Sequence, residues 1–236
     1  GTVLTLHRHD GAYTIRVGTV ELMSTRRHHS EERFAELACA PLAARARARV
    51  LIGGLGLGFT LRAALRALAG DATVVVAELV EGVIRWNRTP EYGLAADALA
   101  DPRVALRHAD VADVLREAAA GGAAASGADG GFDAILMDVD NGTDAITHAG
   151  NAALYQASGI RLAMTALRGG GRLAYWAAQE EPAFEAALRR AGLAVEVSRE
   201  RAHATSGPRQ HVLYVGRAGG GHADPRGRLT TADPRG

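Results

Sequence analysis

An apolar strand runs directly into a glycine-rich turn and then into a helix between residues 49 and 68. Within the turn, Gly54, Gly56 and Gly58 occupy alternate positions, and leucines stand between them. Glycine lets the backbone bend sharply at such a point, and a ligand can then approach the amide groups at the start of the helix. This succession of strand, turn and helix predicts a nucleotide-binding turn in an α/β fold.

The strand after the turn ends in a carboxylate. Glu78 stands 20 residues beyond Gly58, where a carboxylate can accept hydrogen bonds from both hydroxyl groups of a ribose. A solvated strand end is the alternative, but the four residues before Glu78 are apolar, which favours a polar partner there. Dinucleotide folds typically carry Gly-x-Gly-x-x-Gly, so the alternating glycines of this chain favour a nucleoside ligand.

Two later strands also end in an acidic residue, namely Asp110 and Asp138. In a parallel sheet these strand ends lie at one edge, where open α/β sheets bind ligands. Asp110 is suited to the amino group of adenine, and it could equally cap the helix that follows it. Asp138 could orient or deprotonate an acceptor amine, and capping of the next loop is its alternative role.

Together these segments resemble the class I S-adenosylmethionine-dependent methyltransferase fold, and more narrowly the spermidine synthase family. The matching features are the glycine turn followed by Thr-Leu-Arg, the acid at Glu78, the Asp-Pro-Arg-Val strand before Asp110, and the Phe-Asp-Ala-Ile-Leu-Met-Asp strand that ends at Asp138. The resemblance implies a transferase that alkylates a small amine acceptor by aminopropyl-type transfer. The implied cofactor is S-adenosylmethionine or its decarboxylated form, with no metal, and the implied cofactor-binding residues are Gly54, Gly56, Gly58, Glu78, Asp110 and Asp138.

The resemblance also implies the catalytic residues. Asp138 matches the acid that helps to deprotonate the attacking amine in the family, whose second acid is shifted here to Asp140. Tyr155 follows at the helix entry where this fold often builds its acceptor lid. The N-terminal unit of the family borders the acceptor pocket, which implies the same position for residues 21–24, Ser30 and Glu31. Turn chemistry is the alternative explanation for Asp140.

One departure from the family affects the choice of cofactor. Spermidine synthases usually have an aspartate inside the glycine turn, associated with the amine end of the decarboxylated cofactor, whereas this chain has Leu57. Binding of intact S-adenosylmethionine, and methyl transfer to a small molecule, are therefore the alternative hypothesis. A non-catalytic nucleoside-binding module is the second alternative.

The composition fits a cytoplasmic enzyme. Lys and Arg number 27 against 26 acidic residues, and the formal charge of +1 leaves no footprint for nucleic acid. The single cysteine, Cys39, excludes an intramolecular disulfide framework. No apolar run approaches the ~20 residues of a spanning helix, so we expect no membrane partner. The family resemblance makes a homodimer a reasonable oligomeric state.

The chain divides into three segments by its patterns. Residues 1–29 are expected to form an N-terminal β-hairpin unit in which residues 12–23 make one strand. Residues 30–217 are expected to form the Rossmann-like domain, a mostly parallel seven-stranded sheet with an antiparallel C-terminal strand. We expect Ser30 to cap its first helix, residues 151–167 to form a single helix, and residues 218–236 to form a flexible tail.

Overall fold

The central part of the chain forms a seven-stranded sheet in the computed structural model, which describes residues 3–124, 131–139, 149–203 and 210–219. The strands of the whole chain are β1 (Leu4–His9), β2 (Ala12–Val17), β3 (Val20–Ser24), β4 (Arg49–Gly53), β5 (Thr73–Glu78), β6 (Val104–His108), β7 (Phe132–Met137), β8 (Leu167–Ala177), β9 (Leu193–Arg201) and β10 (Gln210–Ala218). The α-helices are α1 (His29–Cys39), α2 (Phe59–Ala67), α3 (Glu81–Arg88), α4 (Ala96–Leu99), α5 (Val111–Ala124), α6 (Ala149–Leu154), α7 (Ala157–Thr165) and α8 (Pro182–Arg190).

The large sheet has the strand order β6-β5-β4-β7-β8-β10-β9. The first five of these strands are parallel, and β10 runs antiparallel to both of its neighbours. The predicted fold class is therefore confirmed. After β4 the chain forms β5 and β6 on one side of β4, and it then crosses to β7 on the other side of β4. The crevice between the ends of β4 and β7 is therefore the topological switch point, where such sheets bind ligands.

The apolar runs in the sequence reflect burial on both faces of this sheet. Every residue of β7 is buried, and so are the last four residues of β4. Parallel strands covered by helices on both faces read as continuous apolar segments, because neither face meets water. The rigid centre of the sheet thus holds the two loops that flank the switch point.

The N-terminal unit is a three-stranded antiparallel sheet of β1, β2 and β3. The expectation of one strand over residues 12–23 was wrong, because the chain reverses between Val17 and Val20, which pair with each other. Gly18 makes this turn with φ of 55°, a left-handed conformation that glycine adopts without strain. The alternation of apolar and polar residues continues through this turn. The sequence pattern therefore gave no sign that β2 and β3 are separate strands.

Two helix predictions were also wrong in detail. Residues 151–167 do not form a single helix, since α6 ends at Leu154, α7 begins at Ala157 and β8 already starts at Leu167. Gly159 lets the two helices meet closely, because a Cβ there would lie 2.3 Å from the carbonyl oxygen of Ala153. Ser30 does not cap α1, which begins at His29 and has no side-chain cap.

Several expectations fall on residues outside the described ranges. These include the site role of Asp140 and most of the expected tail, residues 220–236. Within the described ranges, no helix combines the length and the apolar character needed to cross a bilayer. The proposed domain boundaries stay a prediction.

Candidate active site

The glycine turn and the loop after β7 touch each other at the switch point of the sheet. The amide of Asp138 donates a 2.9 Å hydrogen bond to the carbonyl oxygen of Gly53. A Cβ on Gly54 would lie 2.2 Å from the carbonyl oxygen of Asp138. The predicted cofactor turn and the predicted catalytic acid are therefore neighbours.

All three glycines of the turn are required by its backbone. Gly54, Gly56 and Gly58 have φ values of 91°, 52° and 80°, which residues with a Cβ rarely adopt. A Cβ on Gly58 would lie 2.3 Å from the Cβ of Ala95, and one on Gly56 would lie 2.7 Å from the side chain of Met23. The turn geometry and the close packing explain the glycine pattern by themselves, and ligand binding by the turn stays a prediction.

Glu78 braces the turn from the end of β5. One of its carboxylate oxygens accepts a hydrogen bond of 2.8 Å from the amide of Leu55, and the other accepts one of 2.7 Å from the amide of Val80. Burial raises the pKa of Glu78, and the backbone hydrogen bonds oppose that rise. The contact between Glu78 and a ribose stays a prediction.

Asn87 ties the turn to α3, and no sequence pattern predicted this contact. Its side-chain amide donates to the carbonyl oxygen of Gly56 at 2.8 Å and to that of Val83 at 2.9 Å. Asn87 is fully buried. An asparagine inside a helix carries no motif of its own, so only the folded structure reveals this contact.

Asp138 is held by the first turn of α2. The hydroxyl group of Thr60 donates a 2.6 Å hydrogen bond to its Oδ2 atom. Desolvation raises the pKa of Asp138 to about 6, repulsion by Glu78 adds to the rise, and the bond from Thr60 opposes it. Thr60 belongs to the Thr-Leu-Arg segment that follows the glycine turn. That segment was part of the family resemblance, and it was the sequence signal for the contact between Thr60 and Asp138.

Glu31 is a third buried carboxylate, close enough to Asp138 to be repelled by it. It lies on α1 and is 4% exposed. Desolvation raises its pKa to about 7, and repulsion by Asp138 contributes to that rise. The hydroxyl group of Ser30, which is 2.5 Å from its Oε2 atom, opposes the rise. The structure thus brings Glu31 into the electrostatic neighbourhood of the predicted catalytic acid.

Asp110 caps α5. Its Oδ1 atom accepts a 2.8 Å hydrogen bond from the amide of Ala112. Its carbonyl oxygen accepts bonds from the amides of Asp113 and Val114. These contacts are those of a helix cap, which was the alternative role expected for Asp110. Its contact with adenine stays a prediction.

Tyr155 is buried between the ends of β7 and β8. Its hydroxyl group lies 3.1 Å from the carbonyl oxygen of Val139 and 3.2 Å from that of Trp176. Its ring packs against Tyr175 and Phe184. Through these contacts Tyr155 acts as a structural clamp that holds the end of β7 beside β8. A catalytic role for Tyr155 stays a prediction.

Leu57 faces the N-terminal sheet. It is 1% exposed and packs in an apolar cluster with Tyr13, Ile15 and Leu94. Its amide donates to the thioether sulfur of Met23 at 3.0 Å. The side chain at the position of the family's amine-binding aspartate therefore joins the sheet to the turn and carries no charge.

The site combines carboxylates whose contacts are neutral. Glu31, Glu78 and Asp138 accept hydrogen bonds from hydroxyl groups and backbone amides. Burial disfavours the charged form of all three and raises their pKa values. A positively charged group beside them would favour the ionised form. In the described ranges, no group of three or more His, Cys, Asp or Glu residues could hold a metal ion.

Comparisons of sequence find no relative, because no protein-family description and no curated protein matches the chain. Solved structures do match it in fold. Spermidine synthase from Thermotoga maritima aligns with a TM-score of 0.63 and 17% identity, over 92% of this chain and 73% of that one. A spermidine synthase in complex with the transition-state analogue AdoDATO aligns with a TM-score of 0.62 and 18% identity, over 92% of this chain and 73% of that one.

A methyltransferase matches as well. Human methyltransferase-like protein 13 in complex with SAH aligns with a TM-score of 0.58 and 18% identity, over 86% of both chains. The resemblance that the sequence carried is thereby confirmed at the level of the fold. The chain has the Rossmann-like fold shared by spermidine synthases and S-adenosylmethionine-dependent methyltransferases.

Proposed function

We propose that the chain is a transferase that uses S-adenosylmethionine or its decarboxylated form to alkylate a small amine by aminopropyl-type transfer. The observation that carries this proposal is the position of Asp138 directly against the glycine turn, where its amide bonds the carbonyl oxygen of Gly53 and Thr60 holds its carboxylate. Both proposed substrates are cations. The fold supports the same assignment, since the matching structures include a spermidine synthase with AdoDATO and a methyltransferase with SAH.

The residues of the site would divide the work of binding. In this proposal Glu78 accepts hydrogen bonds from the ribose, Asp110 contacts the adenine, and the turn of Gly54, Gly56 and Gly58 lies against the nucleoside. When bound, the cofactor supplies an electrophilic carbon next to a sulfonium, so the protein has to align it with a nucleophile and exclude water. Asp138, fixed by Thr60, would hold the amine beside that carbon.

Methyl transfer from intact S-adenosylmethionine is the second candidate. The observation that favours it is the burial of Leu57 in the N-terminal cluster, because no carboxylate then stands where the family holds the amine of the decarboxylated cofactor. An uncharged position removes one reason to select the decarboxylated form. It leaves the methyl group and the aminocarboxypropyl arm of the intact cofactor as transferable groups.

Product analysis by mass spectrometry tests these proposals. Wild-type protein is incubated with either form of the cofactor and a panel of small amines. Methylthioadenosine together with an enlarged amine would support transfer of the arm, whereas S-adenosylhomocysteine with a methylated product would support methyl transfer. Saturable cofactor binding with no product in any reaction would favour the non-catalytic module.

The variant Asp138→Asn separates the catalytic role from general effects of mutation. We expect it to lower product formation by about 100-fold, because the variant loses the charge that would hold the amine beside the reacting carbon. The matched control is Asp113→Asn, since Asp113 has an exposed side chain on α5. Unchanged product formation in Asp138→Asn would remove Asp138 from the mechanism.

A further inference from the structure

A buried hydrogen-bonded network connects α1 with β8 and β10 of the large sheet. The Oγ atom of Ser30 lies 2.5 Å from Oε2 of Glu31 and 2.8 Å from Nδ1 of His211 on β10. The indole nitrogen of Trp176 on β8 donates to the same Oγ atom at 3.3 Å. All four residues are at most 9% exposed.

Proton counting fixes the direction of these bonds when Glu31 is ionised. A serine hydroxyl group has one proton to donate, and it can accept two hydrogen bonds. The indole of Trp176 can only donate, and an ionised Glu31 can only accept. The proton of Ser30 then points to Glu31, and Nδ1 of His211 has to supply the second donor to Ser30. The network therefore orients a donor towards the ionised carboxylate and stabilises that state.

The charges around Glu31 differ from those around its neighbours. Asp138, at the end of β7, and Glu32, on the same helix, both repel a charge on Glu31. Glu32 has a cationic partner of its own, because Arg66 lies 3.2 Å from its carboxylate. Glu31 has a hydroxyl group as its hydrogen-bond partner, and a nearby imidazole acts on it through that hydroxyl.

Asp138 and Glu31 each accept a hydrogen bond from one hydroxyl group, that of Thr60 and that of Ser30. The hydroxyl group of Ser30 is held in turn by His211 and Trp176, so the donor to Glu31 is fixed in place by a larger network.

We propose that Glu31 takes the proton from the acceptor amine, with Ser30 and His211 as its positioning residues. This inference rests on the proposed transfer to an amine. The ammonium group of the acceptor gives one N–H proton to the ionised carboxylate of Glu31, which frees the lone pair of the nitrogen. That lone pair forms the new N–C bond while the C–S bond breaks, and the electron pair of the broken bond stays on sulfur as a neutral thioether. Asp138 holds the substituted ammonium product by its charge.

The variant Glu31→Gln tests the base, with Glu32→Gln as its matched control on the same helical turn. The acceptor is 1,4-diaminobutane, offered with whichever cofactor form the wild type uses. We expect Glu31→Gln to lower kcat by about 100-fold or more, while Glu32→Gln stays within a few-fold of the wild type. A Glu31→Gln variant with the kcat of the control overturns the inference.

The pH profile distinguishes a base from a packing residue. Activity of the wild type should rise with pH through about 7 as Glu31 ionises. The bond from Ser30 lowers the pKa of Glu31, so Ser30→Ala should move this rising limb to higher pH. A loss of activity that is equal at every pH in Ser30→Ala would instead indicate a merely structural role and would overturn the positioning assignment.

A binding measurement separates failure of this inference from failure of the proposed function. Calorimetry follows the binding of 1,4-diaminobutane at pH 7 in two buffers of different ionisation enthalpy, with methylthioadenosine or S-adenosylhomocysteine present. Release of protons by the wild type but not by Glu31→Gln supports the contact between Glu31 and the amine, even if no transfer product is ever found. Equal proton release by both proteins overturns it, even if the wild type is an active transferase.

Discussion

At the scale of single residues, burial decides how each carboxylate of the site behaves. Glu31, Glu78 and Asp138 are all desolvated, but their hydrogen-bond donors differ in number and kind. Backbone amides hold Glu78 in one orientation, whereas single hydroxyl groups meet Glu31 and Asp138. The same functional group can therefore serve as a brace at one position and as a proton acceptor at another.

The raised pKa of Glu31 predicts a pH-dependent effect of its replacement. The folded state keeps the proton of Glu31 up to about pH 7, and the unfolded chain loses it near 4.5, so the wild type loses stability as pH rises through this window. The glutamine of Glu31→Gln does not ionise. Relative to the wild type, its free energy of unfolding should therefore gain roughly 3 kcal/mol between pH 4.5 and 8.

Urea denaturation of both proteins at several pH values measures this gain. The variant Glu32→Gln is the control, since Glu32 is more exposed than Glu31 and forms an ion pair with Arg66. A stability difference between Glu31→Gln and wild type that stays constant from pH 4.5 to 8 would contradict the raised pKa.

Tyr155 gives a second prediction at this scale. Its hydroxyl group contacts the carbonyl oxygens of Val139 and Trp176, so Tyr155→Phe should cost about 1 kcal/mol of stability through the lost hydrogen bond. If the residue is a clamp, kcat should change by less than a few-fold. Steady-state kinetics and thermal unfolding check both expectations, and a loss of kcat above 100-fold at unchanged stability would establish Tyr155 as catalytic.

At the scale of elements, the glycine turn is shaped by its neighbours as much as by its own backbone. Gly58 and Gly93 both have positive φ, 80° and 61°, but the surroundings differ. A Cβ on Gly58 would meet Ala95 at 2.3 Å, and a Cβ on Gly93 would meet nothing within 4 Å. The pair therefore separates backbone strain from packing.

We expect Gly93→Ala to cost about 1 kcal/mol, because alanine tolerates the left-handed region poorly. Gly58→Ala should cost a further 1–3 kcal/mol, roughly, since the added methyl group overpacks the contact with α4. The difference in urea midpoint between the two variants measures the packing contribution. Equal destabilisation would mean that Ala95 moves aside freely.

Sequence patterns predicted the elements wherever burial was uniform. The apolar runs of β4, β5 and β7 predicted strands, and the strand ends placed Glu78 and Asp138 at the same edge of the sheet. The network around Glu31 escaped prediction because Ser30 and His211 are 181 positions apart. A serine near a helix start is usually read as a cap, and only the packed structure shows that its hydroxyl group points elsewhere.

At the scale of the whole molecule, Leu57 joins the N-terminal sheet to the large domain. It lies in one apolar cluster with residues of β2 and with Leu94. Leu57→Ala should therefore lower the free energy of unfolding by about 2–5 kcal/mol, the usual cost of such a cavity. Val20→Ala is the control in the same sheet, because Val20 is 48% exposed.

Introducing at position 57 the aspartate that is usual in spermidine synthases should not change the choice of cofactor. Leu57→Asp buries a carboxylate among apolar side chains, and we expect at least the destabilisation of Leu57→Ala and no new preference for the decarboxylated cofactor. Denaturant unfolding and a competition between the two cofactor forms check this outcome. A stable Leu57→Asp protein that selects the decarboxylated form would mean that the side chain at position 57 can face the ligand.

The support of the glycine turn has a consequence for the reading of glycine patterns. Each of Gly54, Gly56 and Gly58 is needed by the backbone and would collide with a neighbour if it gained a side chain. A chain of this fold that bound no ligand would still need these glycines in order to fold. The glycines therefore report the geometry of the turn, and replacement of Glu31 and Asp138, not of the glycines, tests the proposed chemistry.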